Sequence, residues 1–498
     1  MTVISILGSC RQTYVAKHFN TTSLHDLITY PHYSKETLQA IRFIKYNNIK
    51  PENTSYVFRT CFINNQRPIL DMEKIQHAYN STDIFLVEIA SKLSYEYNGF
   101  YLHHIASEQK HGFKDYKNVK IRDLSDEEIE EDLINIRNEL YPKKMILVTH
   151  ITTYTSGKRY ELTKLLERLA NKINIPIINP TQLLNTHRSD QILTKEPVLA
   201  HYSEIGQTII ADLYKKSIDS LLSSEKKNVI CQTYYTSPEK IKKHSTQGFG
   251  DFLRGTIHLF QMSKQQNFHL DVSFSNHALS NFLYSRSYRS IAECENVAYK
   301  FVGRQSKDWK KETLSFTQPN IFTNEMCDKN IDDDTRKFIL EQCLSPRISF
   351  TNKFEQIKKE MAIFEKDYCV VHIRCGDTFF TKTQLDTNLL IRCSNLMKKI
   401  LETENNQNKK IVIMSDYYPL QNKIASTFNC LHYDVGNYSK LHTGEFDSND
   451  ETNKAKCENS LIDFFLLLKS KCIYQMVIKS AFSEYAAILS NIPITYVG

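Results

Sequence analysis

His372-Ile373-Arg374-Cys375-Gly376-Asp377 stands directly after the apolar run Cys369-Val370-Val371. Polar residues after such a run sit at the carboxyl edge of a strand, where open α/β sheets bind their ligands. An arginine there can fork two hydrogen bonds onto a diphosphate, and Asp377 can hold that arginine or its loop in place. A structural histidine beside an Arg–Asp ion pair would leave the same six residues. Ser415-Asp416 closes the next apolar run, and its carboxylate can accept from a ribose or a guanine. Asp463 lies inside Leu461–Leu468, and Ser480-Ala481-Phe482-Ser483 sits between an apolar run ending at Lys479 and a helical pattern. A serine-flanked helix start offers hydroxyls and free N–H groups to a phosphate. Turn formation or capping accounts for each of these singly, but their joint order and spacing point to the binding of a phosphorylated ligand.

A second set lies near the N-terminus. Ile4-Ser5-Ile6-Leu7-Gly8-Ser9-Cys10-Arg11 puts Ser9 and Cys10 at the turn after a first strand, where helix N–H groups can lower a thiol pKa and form an oxyanion hole. His201, in Leu199-Ala200-His201-Tyr202-Ser203, precedes a helical pattern that runs to about Tyr214. Glu88 and His150 close other apolar runs at the same edge, and a structural role suits either equally well. Asp332-Asp333-Asp334 precedes a helical pattern and reads as a cap rather than a metal site. No metal is expected.

The elements that must position these residues follow from periodicity. Val3–Leu7, Ile84–Ile89, Met145–Thr149 and Ile175–Ile178 are strand candidates, and Leu162, Leu165, Leu166 and Leu169 predict a helix over Lys158 to Lys172. Short strands alternating with amphipathic helices give a doubly wound α/β domain over 1–222, which ends at the polar stretch Ser223–Asn228. A second α/β lobe over 226–360 opens with Val229–Gln232 and carries the glycine loop Gly248-Phe249-Gly250-Asp251 before a helix from Phe252 to Met262. A third, 361–498, is built on the strands Tyr368–Ile373, Ile411–Ser415, Met476–Lys479 and Ile494–Val497, and Glu402–Lys410 is a surface loop.

Bulk properties narrow the function classes. With 498 residues, 41% hydrophobic and 24% charged, the chain can bury several cores. Its net charge of +7 is spread among acidic residues rather than gathered in a basic tract, which argues against nucleic acid as a partner. The 12 cysteines lack C-x-x-C pairs, so reduced thiols in the cytoplasm are expected. No apolar run approaches the roughly 20 residues of a membrane span.

With these residues in view, 229–498 resembles the α1,2/α1,6 and protein O-fucosyltransferase superfamily, two-lobed GT-B enzymes that include the bacterial nodulation fucosyltransferases. The resemblance implies that Arg374, flanked by His372 and Asp377, binds the donor. It also implies donor-side roles for Ser415, Asp416, Asp463, Ser480, Phe482 and Ser483, and for Gly248, Gly250 and Asp251 across the cleft. Many members carry a second arginine where this chain has Cys375, which bears on linkage and donor sugar. The implied reaction is metal-independent, inverting transfer of fucose from GDP-fucose to an oligosaccharide, polysaccharide or glycoprotein acceptor, with no cofactor. Arg374 and the Ser480 region would stabilise the departing GDP; no base stands out, and His372 is one option. Residues 1–215 resemble the SGNH/GDSL hydrolases and their cysteine-bearing relatives in polysaccharide biosynthesis, with Cys10 as nucleophile, Ser9 adjacent and His201 as the late histidine. Val198 replaces the family's aspartate three residues before that histidine. The expected whole is a bifunctional glycan-modifying enzyme with an acyl esterase or acyltransferase domain. The alternative is a glycan- or nucleotide-binding protein with a degenerate N-terminal domain.

Overall fold

Runs of Ile, Leu and Val form the strands of three parallel sheets and one small antiparallel sheet in the computed structural model, which describes residues 2–22, 24–62, 70–194, 201–223, 229–234, 248–274, 277–286, 300–302, 320–323, 327–379, 383–403, 410–433 and 451–498. The chain divides into two units, Met1–Glu225 and Lys226–Gly498.

In the first unit the strands are β1 (Ile4–Leu7), β2 (Ile84–Ile89), β3 (Leu93–Tyr97), β4 (Phe100–Tyr101), β5 (Lys120–Asp123), β6 (Lys144–Thr149) and β7 (Ile177–Ile178). The main sheet runs β1-β2-β6-β7, all parallel, and the antiparallel β4-β3-β5 sheet lies apart from it. Every residue of β1 and β2 is buried, as expected of parallel strands covered on both faces. The helix Lys158–Lys172 forms where the leucine spacing places it, with Leu162, Leu165, Leu166 and Leu169 buried. Ser125 and Glu128 form a capping box that starts the helix Asp126–Leu140.

The second unit holds β8 (Val229–Thr233), β9 (His269–Ser273), β10 (Lys300–Val302), β11 (Asn320–Thr323), β12 (Tyr368–Arg374), β13 (Lys410–Ser415), β14 (Cys472–Val477) and β15 (Ile494–Val497). They make two parallel four-stranded sheets, β10-β11-β8-β9 and β13-β12-β14-β15. One apolar core is shared by both, bringing Phe252, Leu253 and Val272 together with Tyr368, Val370, Phe464 and Tyr485. Two sequence expectations shift, and a third, the cap at Asp332, holds. The helix after β8 begins at Phe249 rather than Phe252, so the expected glycine loop is its first turn, with Gly248 as N-cap. The strand placed at Met476–Lys479 is Cys472–Val477, because Val477 turns to a positive φ of 72° and ends it. Asp332 caps the helix Asp333–Lys337 by accepting the Thr335 N–H at 2.8 Å. The linker at Ser223–Asn228 and the loop Glu402–Lys410 lie largely outside the described residues. Among the described residues no helix is long and apolar enough to cross a membrane.

Candidate functional site

From β12 the chain passes to β13 on one side and later crosses to β14 on the other. The crevice of such a sheet opens at this reversal, between the carboxyl ends of β12 and β14. Arg374, the last residue of β12, pairs there with Val477 of β14. Val477 is β-branched, yet its backbone is left-handed, and the Ile478 N–H donates back to the Met476 carbonyl at 3.0 Å in a three-residue turn. Such a conformation costs about 1–3 kcal/mol and collects at functional sites. The Tyr496 hydroxyl braces the turn by donating to the Val477 carbonyl at 2.9 Å.

The Arg374 guanidinium donates to the Asp416 carboxylate, which also accepts the Cys375 N–H at 2.8 Å and the Gly376 N–H at 3.1 Å. Asp416, expected to face the ribose or base, is thus turned inward and holds the β12 turn. It takes the arginine-holding task expected of Asp377, which starts the short turn Asp377–Phe379 and whose side chain lies outside the described residues. Gly376, at φ 100°, gives that turn a conformation that side chains resist. The Cys375 side chain packs in the core with Val371, Ile373 and Cys393, and burial pushes its thiol up.

Ser415, also expected at the donor, is buried and committed: its hydroxyl donates to the Ile373 carbonyl at 2.8 Å and accepts the Tyr417 N–H at 3.0 Å. Ser483 is committed too, bonded at 2.8 Å to His372 Nδ1 and at 2.8 Å to Gln475 Nε2. His372 is buried in this contact, which ties β12 to the helix Ala481–Ser490. Ser480 is the N-cap of that helix, and its hydroxyl makes no hydrogen bond among the described residues. Asp463 is buried in the helix Glu451–Lys469.

The glycine segment does come to this edge. A Cβ at Gly250 would lie 2.6 Å from the Phe482 nitrogen and 2.7 Å from the Ala481 carbonyl carbon, so two backbones meet where only glycine fits. Phe249 packs edge-on against Phe464, with ring centroids 5.0 Å apart, and Phe464 packs on Phe482 at 5.1 Å. Asp251 pairs with Arg254 at 2.8 Å within its own helix.

In the first unit Gly8, Glu88 and His150 follow or end adjacent parallel strands. The buried Glu88 carboxylate accepts the Ser9 N–H at 2.8 Å and the Ser9 hydroxyl at 2.7 Å, and on its other oxygen the His150 Nδ1–H at 2.8 Å. Burial opposes ionisation of Glu88, but the His150 charge and these hydrogen bonds outweigh it and hold the carboxyl well below its ordinary range. A Cβ at Gly8 would come within 2.6 Å of the Glu88 Cβ, so glycine is what admits the carboxylate.

This arrangement corrects three expectations. The Cys10 thiol is raised, not lowered, first by burial and then by the Glu88 charge, against Arg59 and Arg11. The helix after it, Gln12–Ala16, has only five residues, and the Ser9 N–H expected to face a substrate donates to Glu88 instead. No hydrogen bond among the described residues joins His201 to Ser9 or Cys10; its ring lies edge-on to Tyr14 at 6.0 Å, and its buried Nδ1 has no hydrogen-bond partner among the described residues. Val198 lies outside the described residues. Sequence reasoning passed over His32, His103, His104 and Arg59, which gather near this edge. The histidine doublet at 103–104 was the available signal.

The sequence profile of the TviD N-terminal domain matches residues 1–115 and 105–216. The Vi polysaccharide biosynthesis protein TviD of Salmonella typhi is 26% identical over 110 residues, which are 21% of this chain and 13% of that protein. The chain therefore aligns with a small part of that relative's length. Among solved structures it is similar to a NodZ α-1,6-fucosyltransferase soaked with GDP-fucose, with 13% identity, a TM-score of 0.36, and 53% of this chain and 93% of that one covered. It is also similar to a UDP-GlcNAc 2-epimerase from Methanocaldococcus jannaschii, with 11% identity, a TM-score of 0.24, and 71% and 75% covered. Structural likenesses of this size establish no shared function.

Proposed function

We propose that the second unit is a sugar-nucleotide-dependent glycosyltransferase of the fucosyltransferase type, using GDP-fucose and acting in polysaccharide biosynthesis. The observation that carries it is the edge at the β12–β14 reversal, where Arg374, the strained Val477 turn and the Ser480 helix start come together. The meeting of Gly250 with Ala481 and Phe482 adds the glycine segment to the same place. The ordered likeness of these motifs to the fucosyltransferase superfamily supports the choice of donor, and the name of the TviD relative supports the polysaccharide context. In this reading Arg374, preset by Asp416, meets the diphosphate and gains interaction energy as the leaving GDP takes on charge. No metal or cofactor is assigned to this transfer. Titration calorimetry of the full chain with GDP, UDP and ADP tests it: GDP should bind most tightly, and tighter binding of UDP would overturn the assignment.

For the first unit the same chemistry favours the non-catalytic alternative over an acyl hydrolase. Ser9 is held by a carboxylate rather than a histidine, the Cys10 thiol is raised, and among the described residues His201 packs on Tyr14 without a hydrogen bond to either. Release of p-nitrophenol from acyl esters by the wild-type chain, lost in Cys10→Ala or His201→Ala, would restore the hydrolase.

A further inference from the structure

His32, His103 and His104 each offer one ring nitrogen, and these nitrogens lie within 4.8 Å of one another. The rings touch in every pairing, with centroids 4.8 Å apart for His32 and His103, 4.6 Å for His32 and His104, and 4.4 Å for His103 and His104. Successive side chains on extended backbone point to opposite faces. His103 is extended, but His104 opens the tight turn His104–Ser107, and that change of conformation swings both rings to one side. His32 arrives from the segment before the helix Ser34–Tyr46.

His103 is buried while His32 and His104 are only half-buried, so the trio keeps ring nitrogens open to a ligand rather than sealed in the core. His32 Nδ1 donates to the Tyr30 carbonyl at 2.8 Å, and its Nε2 makes no hydrogen bond among the described residues. Neither ring nitrogen of His104 makes one there. His103 Nδ1 accepts only a long 3.3 Å bond from the Ile105 N–H. A histidine whose Nδ1–H is fixed by a carbonyl has its other nitrogen aimed and its tautomer set, which is how metal-binding histidines are oriented.

We propose that His32, His103 and His104 bind a divalent cation of the zinc class through three ring nitrogens, leaving a fourth position open. Zinc sits about 2.0–2.1 Å from each imidazole nitrogen, which puts tetrahedral neighbours about 3.4 Å apart. The nitrogens now lie within 4.8 Å of one another, so the trio draws in by up to about 1.4 Å on loading. Three imidazoles suit zinc better than magnesium or calcium, which prefer oxygen. Glu88 and Glu108 face the cluster and favour a cation, whereas Arg59, Lys110, His111 and His150 oppose it. The two carboxylates offset Arg59 and Lys110, so a dication enters surroundings close to neutral. The open position takes water or a ligand oxygen. This site is independent of the sugar-transfer proposal.

Full-length protein stripped with a chelator and titrated with Zn(II) tests the assignment. One equivalent per chain is expected, and Co(II) in its place should give the strong visible bands of a tetrahedral nitrogen site. His32→Gln and His104→Gln should each weaken uptake by about 100-fold or more, whereas His77→Gln, outside the cluster, should leave it unchanged. Zn(II) should also raise the melting temperature of the wild-type chain, a readout that needs no variant to fold. No stoichiometric uptake, no rise in melting temperature, uptake indifferent to His32 and His104, or a near-ultraviolet Co(II)–thiolate band from the cysteines would each overturn the proposal.

Discussion

Arg374 is preset by Asp416, and that pairing decides what a substitution there should do. Charge-assisted hydrogen bonds are worth about 1.5–3 kcal/mol each, and a preorganised donor at developing charge about 10²–10³ in kcat. Arg374→Ala should therefore collapse sugar transfer, and Arg374→Lys should restore little, because an ammonium loses the planar fork. The melting temperature should fall only slightly, since Asp416 keeps the Cys375 and Gly376 N–H groups as partners. Transfer within a few-fold of wild type by a folded Arg374→Ala chain would place the donor elsewhere. The arginine was legible because the cue is local: an apolar run followed at once by His-x-Arg. Its partner was not, because Asp416 follows the end of the neighbouring strand β13, 42 positions away, and sequence proximity favoured Asp377 instead. Ser415 and Ser483 illustrate the same limit, since a hydroxyl at a strand or helix end reads alike whether it serves a ligand or, as here, the backbone and side chains around it.

At the level of elements, the helix Phe249–Gln266 and the helix Ala481–Ser490 meet through a glycine, and the closeness of their backbones sets the cost of altering it. A methyl at position 250 would press on main-chain atoms that cannot rotate aside. Gly250→Ala should lose about 1–3 kcal/mol by overpacking, seen as a lower urea midpoint, and should weaken GDP binding because the start of the second helix is displaced. An unchanged midpoint and affinity would refute this contact. His277 offers a test of another kind. Burial alone lowers its pKa from 6.5 to about 3, so between those values the unfolded chain binds a proton that the folded chain does not. Its contribution is present above pH 6.5 and is lost as pH falls toward 3, with a slope of at most about 1.4 kcal/mol per pH unit. His277→Asn retains a side-chain acceptor for the Leu279 N–H that His277 now caps. It should flatten the fall in denaturant-derived stability relative to wild type, and parallel curves would sink the assignment. Element boundaries were legible where periodicity was strong, as in Lys158–Lys172, whose four leucines recur on one face. They were displaced at β14, where Gln475 interrupts the apolar pattern although it is buried in the strand, and where the positive φ of Val477 leaves no mark in the sequence.

Across the whole chain, two units with separate cores, divided after Glu225, should respond separately to ligands. A ligand that binds only the folded form stabilises it by RT ln(1 + [L]/Kd), about 2.7 kcal/mol at a hundredfold excess over Kd. For a unit of this size that corresponds to a rise of about 5–10 °C in melting temperature. Calorimetry of the full chain should therefore resolve two transitions. GDP should raise the one that belongs to Lys226–Gly498 and leave the other in place. Zn(II) should do the reverse, because its three ligands all lie before residue 105. The variants assign the transitions: Arg374→Ala should abolish the GDP shift while keeping the Zn(II) shift, and His32→Gln the converse. A GDP shift that survives Arg374→Ala would move the nucleotide away from the β12–β14 reversal. A Zn(II) shift that follows Arg374 rather than His32 would show the metal acting with the nucleotide and not at the histidines.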